Sequence, residues 1–427
     1  MIPKLIYVLI DGMGDRPTDE LGKQTPLEAA TTPNMDSLAK NGKVGLMYTI
    51  RRGVAPESDV AVISLLGYDP FKYSTGRGVF EALGADMLVS DGDLALRCNF
   101  ATLGRGEEIL DRRAGRDLAP EEAKELSEAI NKKVSLEAYP VNFEFKNTIG
   151  HRGVLVIRSL KKPLTSRITN TDPAYSRMEM LGVAKTGAEK IIKKSVPMDD
   201  TEEAKTSARL VNEFVEKSHA VLEEHEVNGK RAAEGKLKAD IILTRDAGHL
   251  LPKFFNIDRR YGARFVSLTD MPVERGISKA AGMHTTRLPP PSHDLKKDCR
   301  LRADKLLRIL HSYDCFYIHI KGPDEPGHDG DCKLKEKLIS IIDKHFIERL
   351  LLRIDQRGFI ICITADHSTP CQLKAHSDDP VPLLIYDSRV KGDNVSGFSE
   401  KECKKGSLGI LENGSELIPK LIDQMKK

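Results

Sequence analysis

Tryptophan is absent from the 427 residues, and aromatic side chains make up only 5% of them. That removes the stacking platform on which single-stranded nucleic acids are held. No charge of one sign dominates either. Lys plus Arg is 66 and Asp plus Glu is 63, so the net formal charge is 66 − 63 = +3. A chain so nearly balanced has no general attraction for nucleic acid or anionic membrane, and basic groups that matter must be gathered locally. Seven cysteines (Cys98, Cys299, Cys315, Cys332, Cys362, Cys371 and Cys403) are widely spaced, and none forms a Cys-x-x-Cys pair. This excludes a zinc ribbon and a thioredoxin-like motif, and reads as reduced thiols in a cytoplasmic protein. No apolar run approaches the ~18 residues of a membrane span. The short run Leu5 to Ile10 ends in Asp11 with no small-residue cleavage site, so no signal peptide is expected. Internal repeats and low-complexity segments are lacking.

What is present is an ordinary globular mix, 40% hydrophobic and 30% charged. At about 150 residues per domain, the length suggests two or three domains. Leu5 to Ile10 suits a fully buried parallel strand. Thr32-Pro33 opens a helix that Gly42 closes. Strand-like Val44 follows, then a short helix from Pro56-Glu57-Ser58 to Gly67 and another over Val79 to Leu83. From Leu94 the texture changes. Strand pieces (95–101, 143–145, 154–157, 241–244, 265–268) mix with a helix after Pro120 and a charged amphipathic helix, Glu203 to Glu226, whose apolar side carries Leu210, Phe214 and Leu222. After Pro289-Pro290-Pro291 the strand–helix alternation returns. Helices are expected at 295–310 and 334–352, strands at 316–320, 359–363 and 381–386, and a last helix near Ser415. Alternation at both ends indicates a doubly wound α/β domain of residues 1–85 and 290–427, with an inserted α+β domain, 86–289.

Three of these strands run into ligand-bearing loops: Asp11-Gly12-Met13-Gly14-Asp15, Gly322 to Asp329, and Thr364 to Pro370. In an open α/β sheet, ligands bind beyond the carboxyl ends of the strands, so the loops should converge. His376 follows His367 by nine residues and can return to the same place. Carboxylate with imidazole suits a borderline divalent ion such as Zn or Mn. Asp324 and His328, four apart, can wrap one ion from a turn; Asp366 and His367 can serve one ion or bridge toward a second. Ser58, at a helix start, is placed where an anion is favoured, and a metal would make it a nucleophile toward phosphorus. A basic segment, Asp111-Arg112-Arg113-Ala114-Gly115-Arg116-Asp117, and His151-Arg152 lie in the inserted region. Arginine forks bind phosphate and carboxylate bidentately.

With those segments assembled, the chain resembles the archaeal-type cofactor-independent phosphoglycerate mutases of the alkaline phosphatase superfamily over nearly its whole length. Lys321 to Asp331 and Ala365 to Pro370 are the specific anchors, joined by the Asp11 loop, Pro56 to Asp59, Asp111 to Arg116 and His376 to Pro380. The resemblance implies two divalent ions (Mn, Zn, Co or Mg). One would be held by Asp11, Ser58, Asp366 and His367, the other by Asp324, His328 and His376. It implies no 2,3-bisphosphoglycerate, a transient phosphoserine at Ser58, and a phosphoglycerate held by Arg112, Arg113, Arg116, His151 and Arg152. Arg245 is expected as a further substrate ligand, and Lys296 resembles a phosphate-bridging lysine of bacterial-type relatives. Asp111 or Asp117 would shuttle the hydroxyl proton. His319 and Lys321, two apart on their strand, would orient the second loop. A phosphomonoesterase, or a mutase for another phosphorylated metabolite, would use the same metal core. A non-catalytic metal- and phosphate-binding regulator is disfavoured because every expected position is filled.

Overall fold

The computed structural model describes residues 2–178, 181–184, 189–292 and 294–427. Its strands in chain order are β1 (Lys4–Ile10), β2 (Lys43–Met47), β3 (Leu94–Leu103), β4 (Ile109–Asp111), β5 (Val141–Asn147), β6 (Arg152–Ser159), β7 (Tyr175–Met178), β8 (Leu181–Ala184), β9 (Ile241–Gly248), β10 (Phe265–Leu268), β11 (His284–Thr285), β12 (Cys315–Ile320), β13 (Phe359–Thr364), β14 (Val381–Asp387) and β15 (Gly409–Leu411). They divide between two compact units. The first is Met1–Tyr73, Phe254–Asp270 and Ile277–Lys427; the second is Ser74–Lys253 with Met271–Gly276.

The first unit is built on an eight-stranded sheet of order β11-β10-β12-β1-β13-β14-β2-β15. β1 lies between β12 and β13 and runs parallel to both. Only β14 runs the other way, antiparallel to β13 and β2. Every residue of β12 is buried, as is every residue of β1 after Lys4. Successive side chains point to opposite faces of a sheet, so both faces are covered, as a doubly wound sheet requires. On one face the Tyr7 hydroxyl donates to the Leu65 carbonyl of helix Ser58–Leu65 at 3.2 Å. On the same face Cys315 meets Met425 of helix Leu417–Lys426.

The second unit is α+β. Its antiparallel sheet runs β4-β3-β6-β5, with β9 added against β3. Helices Pro120–Lys133 and Glu202–Glu223 supply its core, where Leu126, Ile130, Leu210, Phe214 and Leu222 pack with Phe100 and Phe145. The expected apolar side of the charged helix is therefore buried.

The compact units divide at 73/74 and 253/254, with 271–276 also in the second unit, where the sequence suggested boundaries near 85 and 290. Helix Arg77–Gly84 packs on β3, β6 and β9, whereas β10 pairs with β12 in the large sheet. A four-residue apolar strand carries no mark of which sheet it will join. The single helix expected over 334–352 is broken: Cys332–Ile342, a π-helical turn Asp343–Ile347, then Glu348–Leu351. Asp343, at that break, accepts hydrogen bonds from Asn34 and Met35 at the start of helix Pro33–Asn41. Helix Pro272–Ala280 and the short strands β11 and β15 had no strong sequence signal. Among the described residues no helix is long and apolar enough to cross a membrane. All seven cysteines are buried and free of disulfides.

Candidate metal centre

Because β12, β1 and β13 are neighbours, their carboxyl ends deliver three loops side by side. Asp11 follows β1, Lys321 and the short helix Asp324–Asp329 follow β12, and Asp366 and His367 follow β13. Asp324 and His328 thus sit one helical turn apart, not on an open turn, and face the same way. The loops touch closely. Gly12 has φ +60°, and a Cβ there would lie 2.7 Å from the Asp324 Cα; its N–H donates to Asp366 Oδ1 at 3.0 Å.

Around Asp324, three acceptors face one point. Asp324 Oδ1 lies 3.5 Å from His328 Nε2 and 3.4 Å from His376 Nε2, and the two Nε2 atoms are 3.1 Å apart. The far nitrogens fix the tautomers. Nδ1 of His328 meets the Lys374 carbonyl and Nδ1 of His376 the Pro56 carbonyl. A carbonyl only accepts, so each Nδ1 carries the proton and each Nε2 presents a lone pair. Two lone pairs and a carboxylate turned toward each other fit a cation. Without one, a proton takes its part: burial opposes charge on His376, but the hydrogen bond and charge of Asp324 outweigh it and raise the imidazole to about 9. Asp324 is itself held far below the usual carboxylate range by its histidines, although burial works against this.

The second cluster surrounds Asp11 and Asp366. Nε2 of His367 lies 3.6 Å from Asp11 Oδ1, 3.4 Å from Asp366 Oδ2 and 3.2 Å from Ser58 Oγ. His367 also approaches Asp324, 3.9 Å from Nδ1, so geometry alone could give it to either cluster. Thr369 decides. Its hydroxyl donates to Asp324 Oδ1 at 2.7 Å, so toward His367 Nδ1, at 3.0 Å, it can only accept. Nδ1 therefore bears the proton, and the Nε2 lone pair faces Asp11, Asp366 and Ser58. Burial depresses His367 to about 3, keeping the ring neutral. Burial also pushes Asp11 up, reinforced by the charges of Asp366 and Asp324 against that of Lys321. Asp366 remains ionised despite its burial, through His367, His319 and Lys321. Asp11 Oδ1 and Asp366 Oδ2 are buried without a well-aligned hydrogen bond, with Lys321 3.1 Å from the first and His319 3.3 Å from the second; a cation between them would satisfy both. The donor sets of these clusters fit divalent metal.

Sequence reading missed the frame behind these ligands. Lys335 is wholly buried and donates to the Gly14 and Thr369 carbonyls and to Asp15 Oδ2, at 3.0, 2.8 and 2.7 Å. It ties the Asp11 loop to the Asp366 loop. Ser58 is the first residue of its helix, with Glu57 as the cap, and Asp59 to Leu65 are all buried. Lys296 is not brought to either cluster. It is exposed on the first turn of helix Leu295–Ile309, where its charge acts on His345. The lysine at the centre is Lys321, with Nζ 3.1 Å from Asp11 Oδ1.

In the second unit the structure gathers the expected arginines with partners of their own. Arg112 and Arg245 both pair with buried Asp172, and both guanidinium groups lie over the Tyr175 ring, 5.1 and 4.3 Å from its centroid. Asp111 Oδ1 accepts from the Arg113 and Gly115 amides and closes the basic turn. Arg116 is exposed at φ +60°. Asp117 is paired with the fully buried Arg231. Burial and the charges of Arg152, Arg245, Arg97 and Arg116 lower His151 to about 3, so it stands neutral among four cations. Arg97, with Glu81 and Asp246 as neighbours, is a member of this cluster that no motif pointed to.

Carboxylates, imidazoles and a serine hydroxyl, gathered at adjacent strand ends of a mixed α/β sheet, make this a candidate metal-assisted phosphoryl-transfer enzyme. Comparison narrows the class. Residues 39–228 match the family model for 2,3-bisphosphoglycerate-independent phosphoglycerate mutase. Enzymes of that name from Aeropyrum pernix and Methanopyrus kandleri are 43% and 40% identical over 423 residues, covering 98% of this chain and 99% and 96% of theirs. The solved cofactor-independent phosphoglycerate mutase of Thermoplasma acidophilum superposes with a TM-score of 0.63 at 30% identity, covering 99% of this chain and 100% of that one. A solved protein of Pyrococcus horikoshii gives 0.78 at 31% identity, covering 100% and 98%. This chain belongs to the 2,3-bisphosphoglycerate-independent phosphoglycerate mutase family.

Proposed function

We propose that the chain interconverts 3-phosphoglycerate and 2-phosphoglycerate, without 2,3-bisphosphoglycerate, through a phosphoserine at Ser58. The observation that carries this reading is the 3.2 Å approach of Ser58 Oγ to His367 Nε2 beside the Asp11–Asp366 carboxylate pair. Asp11, Ser58, Asp366 and His367 would hold one divalent ion, and Asp324, His328 and His376 the other. The imidazole-rich donor set favours Mn, Co or Zn over Mg. Bound there, the ions supply charge neutralisation for phosphoryl oxygens and an acidified serine hydroxyl. Ser58 Oγ attacks the substrate phosphorus and the glycerate alkoxide leaves; the returning step uses the other hydroxyl of the glycerate. Lys321 adds positive charge beside Asp11, and Thr369 keeps His367 in its working tautomer.

The arginine cluster of the second unit is proposed as the anion-binding part of the protein. Asp172 takes up much of the charge of Arg112 and Arg245 and so orients them; Arg113, Arg116 and Arg152, in the same region, are proposed to meet a bound carboxylate or phosphate with them. With Asp117 committed to Arg231, Asp111 is the carboxylate we propose for proton transfer. Buried free thiols suit a cytoplasmic enzyme. The test is to supply purified protein with 3-phosphoglycerate and no 2,3-bisphosphoglycerate, coupled to enolase, with added Mn or with chelator. Metal-dependent formation of 2-phosphoglycerate is expected; inorganic phosphate as the main product would favour a phosphomonoesterase instead.

A further inference from the structure

His319 stands outside the ligand set given above to the Asp11 ion, and the sequence suggests for it no more than an orienting role. We propose that it is a further protein ligand to that ion, so that the ion beside Ser58 is held by two imidazoles, His319 and His367. The inference rests on the metal-centre reading.

His319 is the penultimate residue of β12 and is buried. Its Nε2 lies 3.3 Å from Asp366 Oδ2 and 3.9 Å from Asp11 Oδ1. Those same two oxygens lie 3.4 and 3.6 Å from His367 Nε2. Two ring nitrogens thus flank one carboxylate pair at similar distances. With Ser58 the ion would have five protein donors; donors each about 2.0–2.2 Å from a five-coordinate ion stand roughly 2.8–3.8 Å from their neighbours, and three of these four separations fall within that range.

His319 Nε2 faces Asp366 Oδ2 much as His376 Nε2 faces Asp324 Oδ1, and in each pair a cation can take the place of the shared proton. The other ring nitrogen, Nδ1, faces the Tyr317 hydroxyl at 3.4 Å. That is the pattern of His328, His376 and His367: Nδ1 toward an oxygen, Nε2 toward a carboxylate. It is also the usual arrangement of a metal-bound histidine, whose second nitrogen is anchored by an oxygen. Asp11, His319 and Asp366 by themselves bring three ligand atoms within 4.8 Å of one another, all from buried residues. His319 arises from a central strand, so it would give this ion a rigid nitrogen donor that loop residues cannot, and would bias the site toward Co, Zn and Mn over Mg.

The test uses cobalt(II) as the probe. Metal-free full-length protein is loaded with Co(II), and the paramagnetically shifted proton spectrum is recorded for the wild type, His319→Gln and His319→Asn. Each coordinated imidazole contributes one shifted exchangeable N–H signal. With His319 a ligand, both variants that fold, as judged by circular dichroism, lose one such signal while the others remain. Cobalt affinity of one of the two sites falls at least tenfold. An unchanged number of shifted imidazole signals overturns the proposal and leaves the metal centre standing, since a residue that only orients Asp366 would weaken binding without removing a signal. A wild type that takes up no cobalt overturns both.

Discussion

Thr369 shows how one hydroxyl can assign a ligand: by donating to Asp324 it forces His367 to turn its lone pair toward Asp11, Asp366 and Ser58. Lys335 and Glu400 can be tested at the same scale. Lys335→Met leaves Asp15 as an uncompensated buried carboxylate and frees two loop carbonyls, a loss of about 3–5 kcal/mol in stability. It should also weaken metal binding by roughly ten- to a hundredfold, as outer supports of a metal site do; chemical denaturation and metal titration read the two effects. Glu400 gives a pH signature. Burial raises it from 4.5 to about 7, against its hydrogen bonds from Thr25 and the Asp15 amide. A raised carboxyl favours the folded state when protonated, so its contribution is full below about 4.5 and is lost as pH rises through about 7. The shift corresponds to about 3 kcal/mol at most. Glu400→Gln should therefore gain stability relative to wild type between pH 5 and pH 8. A difference in melting temperature that stays flat across that range would count against it.

At the scale of elements, the centre depends on how closely three strand-end loops can approach. Gly12→Ala must hold a left-handed backbone, about 1–2 kcal/mol for a side-chain-bearing residue, and also place Cβ against Asp324. Gly22→Ala carries the same backbone cost at φ +64° with nothing within 4 Å. The first should lose metal binding and the second should keep it, with similar losses of stability apart from the contact. The strands that carry the site were legible because buried parallel strands read as unbroken apolar runs, and Asp11, Asp324, Asp366 and His367 stand just past their ends. Lys335 was not, because between Lys333 and Lys337 it looks like any solvated lysine on a charged helix; only the fold buries it. The partition of His367 and the engagement of Asp172 with Arg112 and Arg245 depend on side-chain directions, which spacing does not carry. Lys296 misled for a related reason: a short match fixes a place in the chain, not a place in space.

At the scale of the whole molecule, two compact units carry different groups, carboxylate and imidazole clusters in one and an arginine cluster in the other. The α/β rhythm at both ends of the chain suggested an inserted domain, while β10 and helix Arg77–Gly84 had no compositional mark of the sheet each would join. If the first unit is built around ions, then chelation should lower its melting temperature and added Mn or Co should restore it in a concentration-dependent way. Binding at a thousand times Kd is worth about 4 kcal/mol. Scanning calorimetry with and without chelator reads this directly; identical transitions would argue that the acceptor clusters hold no ion in the folded protein.

The central claim is that Ser58 takes the phosphoryl group and returns it to glycerate. Ser58→Ala should fold, since alanine suits a first helical turn, and should lose turnover. More direct is acid quench of the metal-loaded wild type during turnover of 3-phosphoglycerate, followed by mass spectrometry of the peptide carrying Ser58. One phosphate is expected on Ser58 in the wild type and none in Ser58→Ala, with 2-phosphoglycerate as the principal product. Turnover to 2-phosphoglycerate with Ser58 unmodified at every quench time, or undiminished in Ser58→Ala, would contradict it.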